Sequence, residues 1–226
     1  MKYDNVVKGK FISRPNRFIA NVEIDGKIEI AHVKNTGRCR ELFVPDATVY
    51  LQRSDNPLRK TKYDVIAVEK GVRTINVDSQ IPNKVFEEFV FTSDIWGNID
   101  YIKPECFYKK SRFDFYIESG ERKIFIEVKG VTLEENNIVR FPDAPTERGV
   151  KHLNELAETV KDGYEAYVVF VVQMSDVERF EPNRATHPGF AVALENAVKN
   201  GVKIYAFECN VSCDHITIEK EVSVCI

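Results

Sequence analysis

The sequence lacks the features that would place the chain in a membrane or in an oxidising compartment. No apolar run approaches the roughly 20 residues that a membrane-spanning helix requires, and Met1 to Lys8 contain no apolar core of the kind found in signal peptides. The five cysteines are odd in number and scattered, so reduced thiols are the default interpretation. These absences predict a cytoplasmic protein with no membrane partner.

The sequence also offers little for a structural metal site. Cys209, Cys213 and His215 lie close together, but their spacing matches no common zinc pattern and no second pair of ligands accompanies them. We therefore do not expect a zinc clip near the C-terminus.

Charge is unevenly distributed between the two parts of the chain. Residues 1–80 carry 15 Lys and Arg against 10 Asp and Glu, whereas residues 81–226 carry 17 against 25. A basic module joined to an acidic one suits a protein that binds a polyanion with the first and holds cations in a carboxylate site with the second. Scattered surface charge is the alternative, because the basic excess is small.

The first eighty residues have the pattern of short strands separated by turns. Phe18–Ile24 and Lys27–Val33 flank Asp25-Gly26, which predicts a hairpin with a type I′ turn. Five or six strands in this length predict a small closed β-barrel of the oligonucleotide/oligosaccharide-binding (OB) type over residues 1–80, with an SH3-like barrel as the alternative. The remaining strands are predicted at Val6–Ser13, Ala47–Arg53, Tyr63–Glu69 and Val72–Val77.

Beyond Ile81 the pattern changes to alternating helices and strands. Pro82 suits the first turn of a helix, and Glu165–Val172 is so apolar and β-branched that we expect a strand covered on both faces. We therefore assign residues 81–226 to a mixed-sheet α/β sandwich, which makes the chain an α/β (α+β overall) protein of two domains. Strands are predicted at Tyr101–Tyr108, Arg112–Glu118, Lys123–Val131, Ile138–Phe141 and Val202–Glu208, and helices at Thr146–Asp162 and Gly189–Asn200.

The most informative pattern is a hairpin that brings two carboxylates together. If Gly120-Glu121 are the central residues of a type II′ turn, Asp114 falls opposite Glu127. Directly opposed side chains have Cβ atoms roughly 4.5 to 5.5 Å apart, where like charges are destabilising. Lys129 points to the same face as Glu127 because the strand period is two. This patch suits a divalent-cation site for phosphodiester chemistry, and an ion-pair ladder facing solvent is the alternative.

Other polar residues flank this hairpin in the predicted fold. Glu87 and Glu88, on the preceding helix, are candidates for a further carboxylate ligand. Arg148 and His152 lie four residues apart beside the apolar stripe of the later helix, where they can lean over the sheet edge. Gln173 follows the buried strand directly, at a sheet end where polar groups gather around ligands.

Two family resemblances follow from these residues. Asp114, Glu127 and Lys129, on adjacent strands between helices, resemble the active site of the PD-(D/E)xK nuclease superfamily, although Phe113 stands where the proline of that signature would be. The whole chain resembles the sugar fermentation stimulation protein family. That likeness rests on Arg17-Phe18, Gly37-Arg38-Cys39, Glu41-Leu42, Pro45, Ser111–Phe115, Ile126–Leu133, Phe141–Thr146, Arg148–Leu153 and Glu155-Leu156.

The resemblance implies an OB-like barrel, a C-terminal domain of restriction-endonuclease-like type, nonspecific DNA binding and a regulatory role in sugar (maltose) metabolism. A noncatalytic DNA-binding transcriptional regulator on a nuclease-like scaffold is one alternative function, and an oligosaccharide-binding regulatory module is another. Nothing in the sequence identifies an obligatory protein partner, and a homodimer is left open.

The same hypothesis assigns roles to individual residues. Asp114, Glu127 and the Val128 carbonyl are expected to hold Mg²⁺ or Mn²⁺, with Glu87 or Glu88 serving a second ion, while Lys129 orients the attacking water or stabilises developing charge. Phe18 and Phe43 are candidates for base stacking. The DNA-binding candidates are Arg14, Arg17, Lys34, Arg38, Arg40, Arg53, Arg148, Lys151 and His152.

Overall fold

The N-terminal part of the chain folds into a closed β-barrel. The computed structural model describes residues 1–226. Sheet order is β3-β2-β1-β4-β5-β6, and an additional parallel pairing of β3 with β5 closes a barrel of five strands. The strands are β1 Val6–Asn16, β2 Ile19–Ile24, β3 Lys27–Val33, β4 Thr48–Arg53, β5 Tyr63–Lys70 and β6 Arg73–Asn76.

Local turn chemistry sets the first hairpin of this barrel. Asp25 and Gly26 have φ of 49° and 74°, and positive values at both central residues define the predicted type I′ turn. The turn's twist matches that of the flanking strands, so β2 and β3 pair without a break from Ile24↔Lys27 to Ile19↔His32. The OB-type barrel predicted from the sequence is confirmed.

The remainder of the chain forms a mixed sheet between helices. A six-stranded sheet has the order β15-β14-β12-β9-β8-β7, in which β12 runs parallel to both β9 and β14. The mixed-sheet α/β sandwich is thus confirmed. Its elements are α1 Ile81–Val90, β7 Tyr101–Tyr108, β8 Ser111–Ser119, β9 Arg122–Val131, α2 Glu147–Lys161, β12 Glu165–Val172, α3 Pro188–Lys199, β14 Lys203–Val211 and β15 Ile216–Glu221.

Strand β12 is covered on both faces, as its apolar sequence predicts. Val168 and Phe170 belong to the core cluster that also contains residues of α2 and α3, whereas Val169 and Val171 belong to the cluster built around α1. Apolar side chains therefore cover both faces of the sheet at this strand.

A second, four-stranded sheet was not predicted. Its order is β10-β11-β13-β16, with strands Leu133–Glu135, Ile138–Phe141, Arg179–Pro182 and Ser223–Val224. The sequence predicts only β11, because all four strands have two to four residues, which leaves little room for a period-two pattern.

The barrel and the α/β sandwich share one core. A continuous cluster of 35 buried residues includes both barrel residues such as Val49 and sandwich residues such as Phe170. Buried Gln173 donates from Nε2 to the side-chain oxygen of Asn76 at 2.8 Å and to the carbonyl of Asp78 at 3.2 Å. Gln173, a candidate for ligand contact in the sequence, therefore ties the sheet end to the chain segment that leaves the barrel.

None of the helices combines the length and the apolar character needed to cross a membrane.

Candidate active site

The hairpin of β8 and β9 has the register that the sequence predicts. Its pairs run from Ser119↔Arg122 to Phe115↔Ile126, and Gly120 at the turn has φ of 59°. The next pair would be Asp114 and Glu127, but the regular pairing ends there. Asp114 Oδ2 instead accepts a hydrogen bond from the Val128 backbone N–H at 2.8 Å, so the two carboxylates sit where the strands begin to separate.

Glu127 is buried and surrounded by donors on one side. Its carboxylate is 3% exposed, and Oε1 contacts both the Lys129 ammonium and, at 2.5 Å, His152 Nδ1. Burial opposes ionisation of Glu127, but Lys129 and His152 outweigh it and lower the pKa of this carboxyl below its usual value. Glu127 is therefore held as a carboxylate.

Asp114 has a different environment. It is half-buried, and Oδ1 accepts a hydrogen bond from Asn83 Nδ2 at 2.9 Å. Burial first, and then the nearby charge of Glu127, raise the pKa of Asp114, and Lys129 offsets this only in part. The sequence does not single out Asn83, because an uncharged residue in the first turn of a helix carries no signal of a site contact.

One atom of this site is left without a partner. Glu127 Oε2 is buried and accepts no hydrogen bond, although a buried carboxylate oxygen without a partner is costly. No group of three or more Asp, Glu, His or Cys side chains is placed to enclose a metal ion. Two carboxylates nevertheless fit a hard cation such as Mg²⁺, which is commonly held by one or two carboxylates and keeps several waters.

The acidic residues predicted on α1 have separate environments. Glu88 Oε2 accepts a hydrogen bond from the amino group of Met1 at 2.6 Å, and its role as a metal ligand stays a prediction. Glu87 is exposed, one helical turn after Asn83 on the same side of α1. Its role as a second-ion ligand, like that of the Val128 carbonyl, stays a prediction.

Helix α2 places His152 against Glu127 and Arg148 against His152. His152 is buried and contacts Glu127, while Arg148 Nε donates to His152 Nε2 at 3.4 Å. Lys151 is exposed and lies 3.8 Å from Glu155. Residues Arg148 and His152 thus lean over the sheet as the helical spacing indicates, and His152 touches a carboxylate rather than standing free for DNA.

Two of the barrel cations proposed as DNA contacts are already engaged. The Arg14 guanidinium donates to the carbonyls of Arg38, Arg17 and Gly37. Lys34 Nζ lies 2.6 Å from an oxygen of buried Asp78. Both assignments are corrected, because a phosphate would have to displace these internal partners.

The other barrel cations remain available to a ligand. Arg17 lies over the half-exposed ring of Phe18, at 5.1 Å from its centroid, whereas Phe43 is buried and packs beneath Arg14. Phe18 thus remains a stacking candidate and Phe43 does not. Among the predicted DNA contacts of the barrel, the exposed residues are Arg17, Arg38, Arg40 and Arg53.

The C-terminal cysteines form no metal clip. Cys209 is buried, Cys213 is exposed, and His215 Nδ1 contacts the hydroxyl of Ser212 at 2.5 Å. No metal-binding group is assembled there.

These features define the class of the protein as an OB barrel joined to a restriction-endonuclease-like α/β sandwich that has paired carboxylates on its central hairpin. Residues 12–77 match the family model of the SfsA N-terminal OB domain, and residues 80–215 match that of the sugar fermentation stimulation protein RE domain. The chain belongs to the sugar fermentation stimulation protein (SfsA) family.

Relatives resemble the chain over its whole length. A sugar fermentation stimulation protein homolog of Clostridium beijerinckii is 59% identical over 224 residues, which cover 99% of each chain. A homolog of Ruminiclostridium cellulolyticum is 58% identical with the same coverage. The structure of Pyrococcus furiosus SfsA in complex with Ca²⁺ matches with a TM-score of 0.87 at 29% identity, covering 100% of this chain and 98% of that one.

Proposed function

We propose that this protein binds DNA without sequence specificity and hydrolyses phosphodiester bonds at Asp114, Glu127 and Lys129 with a divalent cation. The observation that carries the proposal is the buried Glu127 Oε2, which has no hydrogen-bond partner. A carboxylate that is kept ionised by Lys129 and His152, yet has one oxygen free, is ready to bind a positive ligand.

The residues that would hold a divalent cation are Asp114, Glu127 and the Val128 carbonyl. A bound Mg²⁺ or Mn²⁺ supplies a Lewis acid that polarises a phosphodiester and lowers the pKa of a water molecule. In support, the Pyrococcus furiosus relative was solved in complex with Ca²⁺, a hard divalent cation that prefers oxygen ligands.

The protein's own groups supply orientation and charge. Arg148 donates to His152 Nε2, so Nδ1 of His152 carries the proton that it shares with Glu127. Asn83 and the Val128 N–H fix the Asp114 carboxylate from two directions. Lys129, partly exposed at 17%, can neutralise the negative charge that develops on a phosphate during hydrolysis.

The barrel contributes affinity in this proposal. Its exposed arginines contact phosphates, and such contacts supply binding that is independent of sequence and weakens with salt. The physiological setting that we propose is regulation of sugar metabolism, including the use of maltose, in the cytoplasm.

The decisive experiment is a cleavage assay with Mg²⁺ and Mn²⁺ on single-stranded, duplex and branched DNA. We expect Asp114→Ala, Glu127→Ala and Lys129→Ala each to reduce cleavage by about 10²-fold or more, since stabilisation of this kind is worth several kcal/mol. DNA affinity measured in EDTA should be largely retained. Glu118→Gln is the matched control, because Glu118 is a carboxylate on the same strand that accepts a hydrogen bond from Tyr116 at 2.7 Å.

Three results would contradict parts of the proposal. Equal cleavage by wild type and all three variants would remove the catalytic assignment. Salt-sensitive DNA binding without any cleavage would favour a noncatalytic regulator that keeps the nuclease-like scaffold. Binding of maltodextrins in place of DNA would favour an oligosaccharide-binding module.

A further inference from the structure

A groove runs beside the candidate active site, between the β7–β8 hairpin and the first two turns of α2. Its volume is 540 Å³, within the range of about 300 to 1,000 Å³ that is usual for ligand sites. Its lining combines four cations, one aromatic side chain and a histidine: Lys110, Arg112, Arg148, Lys151, Phe107 and His152.

The groove and the carboxylate site meet at His152. This side chain lines the groove, and its Nδ1 lies 2.5 Å from Glu127 Oε1. A polymer lying in the groove therefore reaches His152, the side chain that contacts the buried Glu127.

The charge of the groove suits a polyanion. Four cations and one acidic residue, Glu147, line it; the Glu147 side chain is 90% exposed and lies 3.3 Å from His187. Lys151 also lies 3.8 Å from Glu155, which is outside the lining. The whole chain, by contrast, carries a net charge of −3. Arg112 pairs with Glu105 at 2.6 Å, but both side chains are half-exposed. Such exposed ion pairs contribute little, so phosphate groups can replace them.

The exposed Phe107 shows what kind of polyanion fits. Its side chain is 70% exposed and is a cross-strand neighbour of Arg112 in the β7–β8 pairing. An aromatic ring beside cations is the combination on which unpaired bases stack while their phosphates are neutralised. In a duplex the faces of the bases are already covered by neighbouring bases and cannot reach such a ring.

We propose that this groove binds an unpaired polynucleotide strand, with a base stacked on Phe107 and phosphates contacted by Lys110, Arg112 and Lys151. The inference rests on the proposed function, because it identifies the strand that the neighbouring carboxylates would act on. It adds a substrate class and binding residues that the cleavage hypothesis alone does not supply.

Binding without turnover tests this assignment. Fluorescence anisotropy in EDTA would compare labelled oligo-dT, oligo-U and a blunt DNA duplex. We expect Phe107→Ala to weaken single-strand binding by about tenfold, since stacking on one aromatic side chain is worth between about 5- and 150-fold. Duplex binding should change less than twofold. The two single strands distinguish DNA from RNA as the source of the unpaired strand.

Matched controls exist on the same strand. Tyr101 is an exposed aromatic residue of β7 at 48%, and it does not line the groove, so Tyr101→Ala should leave single-strand affinity unchanged. Phe107→Leu keeps an apolar side chain and should lose most of the stacking. Arg112→Ala and Lys151→Ala should each lower the slope of log affinity against log salt by about 0.7, whereas Lys103→Ala on β7 should not.

Three outcomes would overturn the groove assignment: preference of the wild type for duplex, equal losses for duplex and single strand in Phe107→Ala, or no loss in either Phe107 variant. Because these assays contain no divalent cation, they are independent of cleavage. If the groove does not bind a single strand, Glu127→Ala can still be tested for loss of cleavage. If the protein does not cleave DNA, the loss of single-strand binding in the groove variants can still be measured.

Discussion

The two sides of the carboxylate pair are built differently. On the α1 side, Asp114 is half-buried, accepts hydrogen bonds from two neutral donors, Asn83 and the Val128 N–H, and has a raised pKa. On the α2 side, buried Glu127 faces an ammonium and an imidazole, has a lowered pKa and keeps one oxygen free.

This difference shows how a hairpin can hold two like charges close together. Opposed carboxylates repel each other, and here only Glu127 has cationic and imidazole partners that favour its charged form, whereas burial and the charge of Glu127 disfavour the charged form of Asp114. The site is therefore asymmetric before any ligand arrives, because the pKa of Glu127 is lowered and the pKa of Asp114 is raised.

The largest effect is expected from removing the ammonium on the α2 side. Lys129→Met should lower the free energy of unfolding in EDTA at pH 7 by about 3 to 5 kcal/mol, because it leaves buried Glu127 without its ionic partner. Urea unfolding measures this value. The double variant Glu127→Gln/Lys129→Met should recover part of the loss, and a loss of about 1 kcal/mol or less in Lys129→Met would refute the charged, buried state described for Glu127.

A smaller effect is expected on the α1 side. Asn83→Ala should cost only about 1 kcal/mol in the same assay, since it removes a single hydrogen bond to a half-buried group. Lys84→Ala, an exposed neighbour in the same helical turn, is the control. If Asn83→Ala lowered the free energy of unfolding as much as Lys129→Met, the α1 and α2 sides would be equivalent. That result would contradict the asymmetry described for the site.

The smallest expected effect is a difference between Glu127 and Asp114 in how each contribution to the free energy of unfolding depends on pH. The pKa of Glu127 is lowered in the folded protein, so its stabilisation is present above the unfolded value of about 4.3 and is lost as the pH falls through the folded pKa. The pKa of Asp114 is raised, so ionisation of Asp114 costs stability as the pH rises from about 3.9 through its folded pKa.

Unfolding curves in EDTA between pH 3 and pH 7 would separate these contributions. Relative to wild type, Glu127→Gln should lose more stability at pH 7 than at pH 3, whereas Asp114→Asn should compare more favourably at pH 7 than at pH 3. For each variant, the difference from wild type in the free energy of unfolding can be plotted against pH. Slopes of the same sign for Glu127→Gln and Asp114→Asn would contradict the environments described for the two carboxylates.

The parts of the fold that the sequence predicts are those set by local rules. The turn at Gly120 fixes the register of β8 and β9, so the approach of Asp114 to Glu127 follows from a few adjacent residues. Helix α2 has Thr146 as its N-cap, where the side chain accepts the Gly149 N–H at 3.1 Å. This is close to the start predicted from its apolar spacing.

The parts of the fold that the sequence does not predict depend on contacts between distant segments of the chain. Strand β13 pairs in parallel with β11 across about forty residues, and neither short strand contains that information. Asn83 reaches Asp114 only because α1 crosses the end of β8. The sequence cannot show that Lys34 pairs with Asp78, because Asp78 lies on a different segment that folding brings within 2.6 Å.

The buried Gln173 contacts have a mechanical consequence. Gln173 holds Asn76 and Asp78, and the core runs through both domains, so the barrel cannot swing relative to the hairpin without breaking buried packing. The separation between the exposed barrel arginines and Glu127 is then a fixed length. If the proposed function holds, the bond that is cut lies at a set distance in space from the nucleotides that the exposed barrel arginines hold.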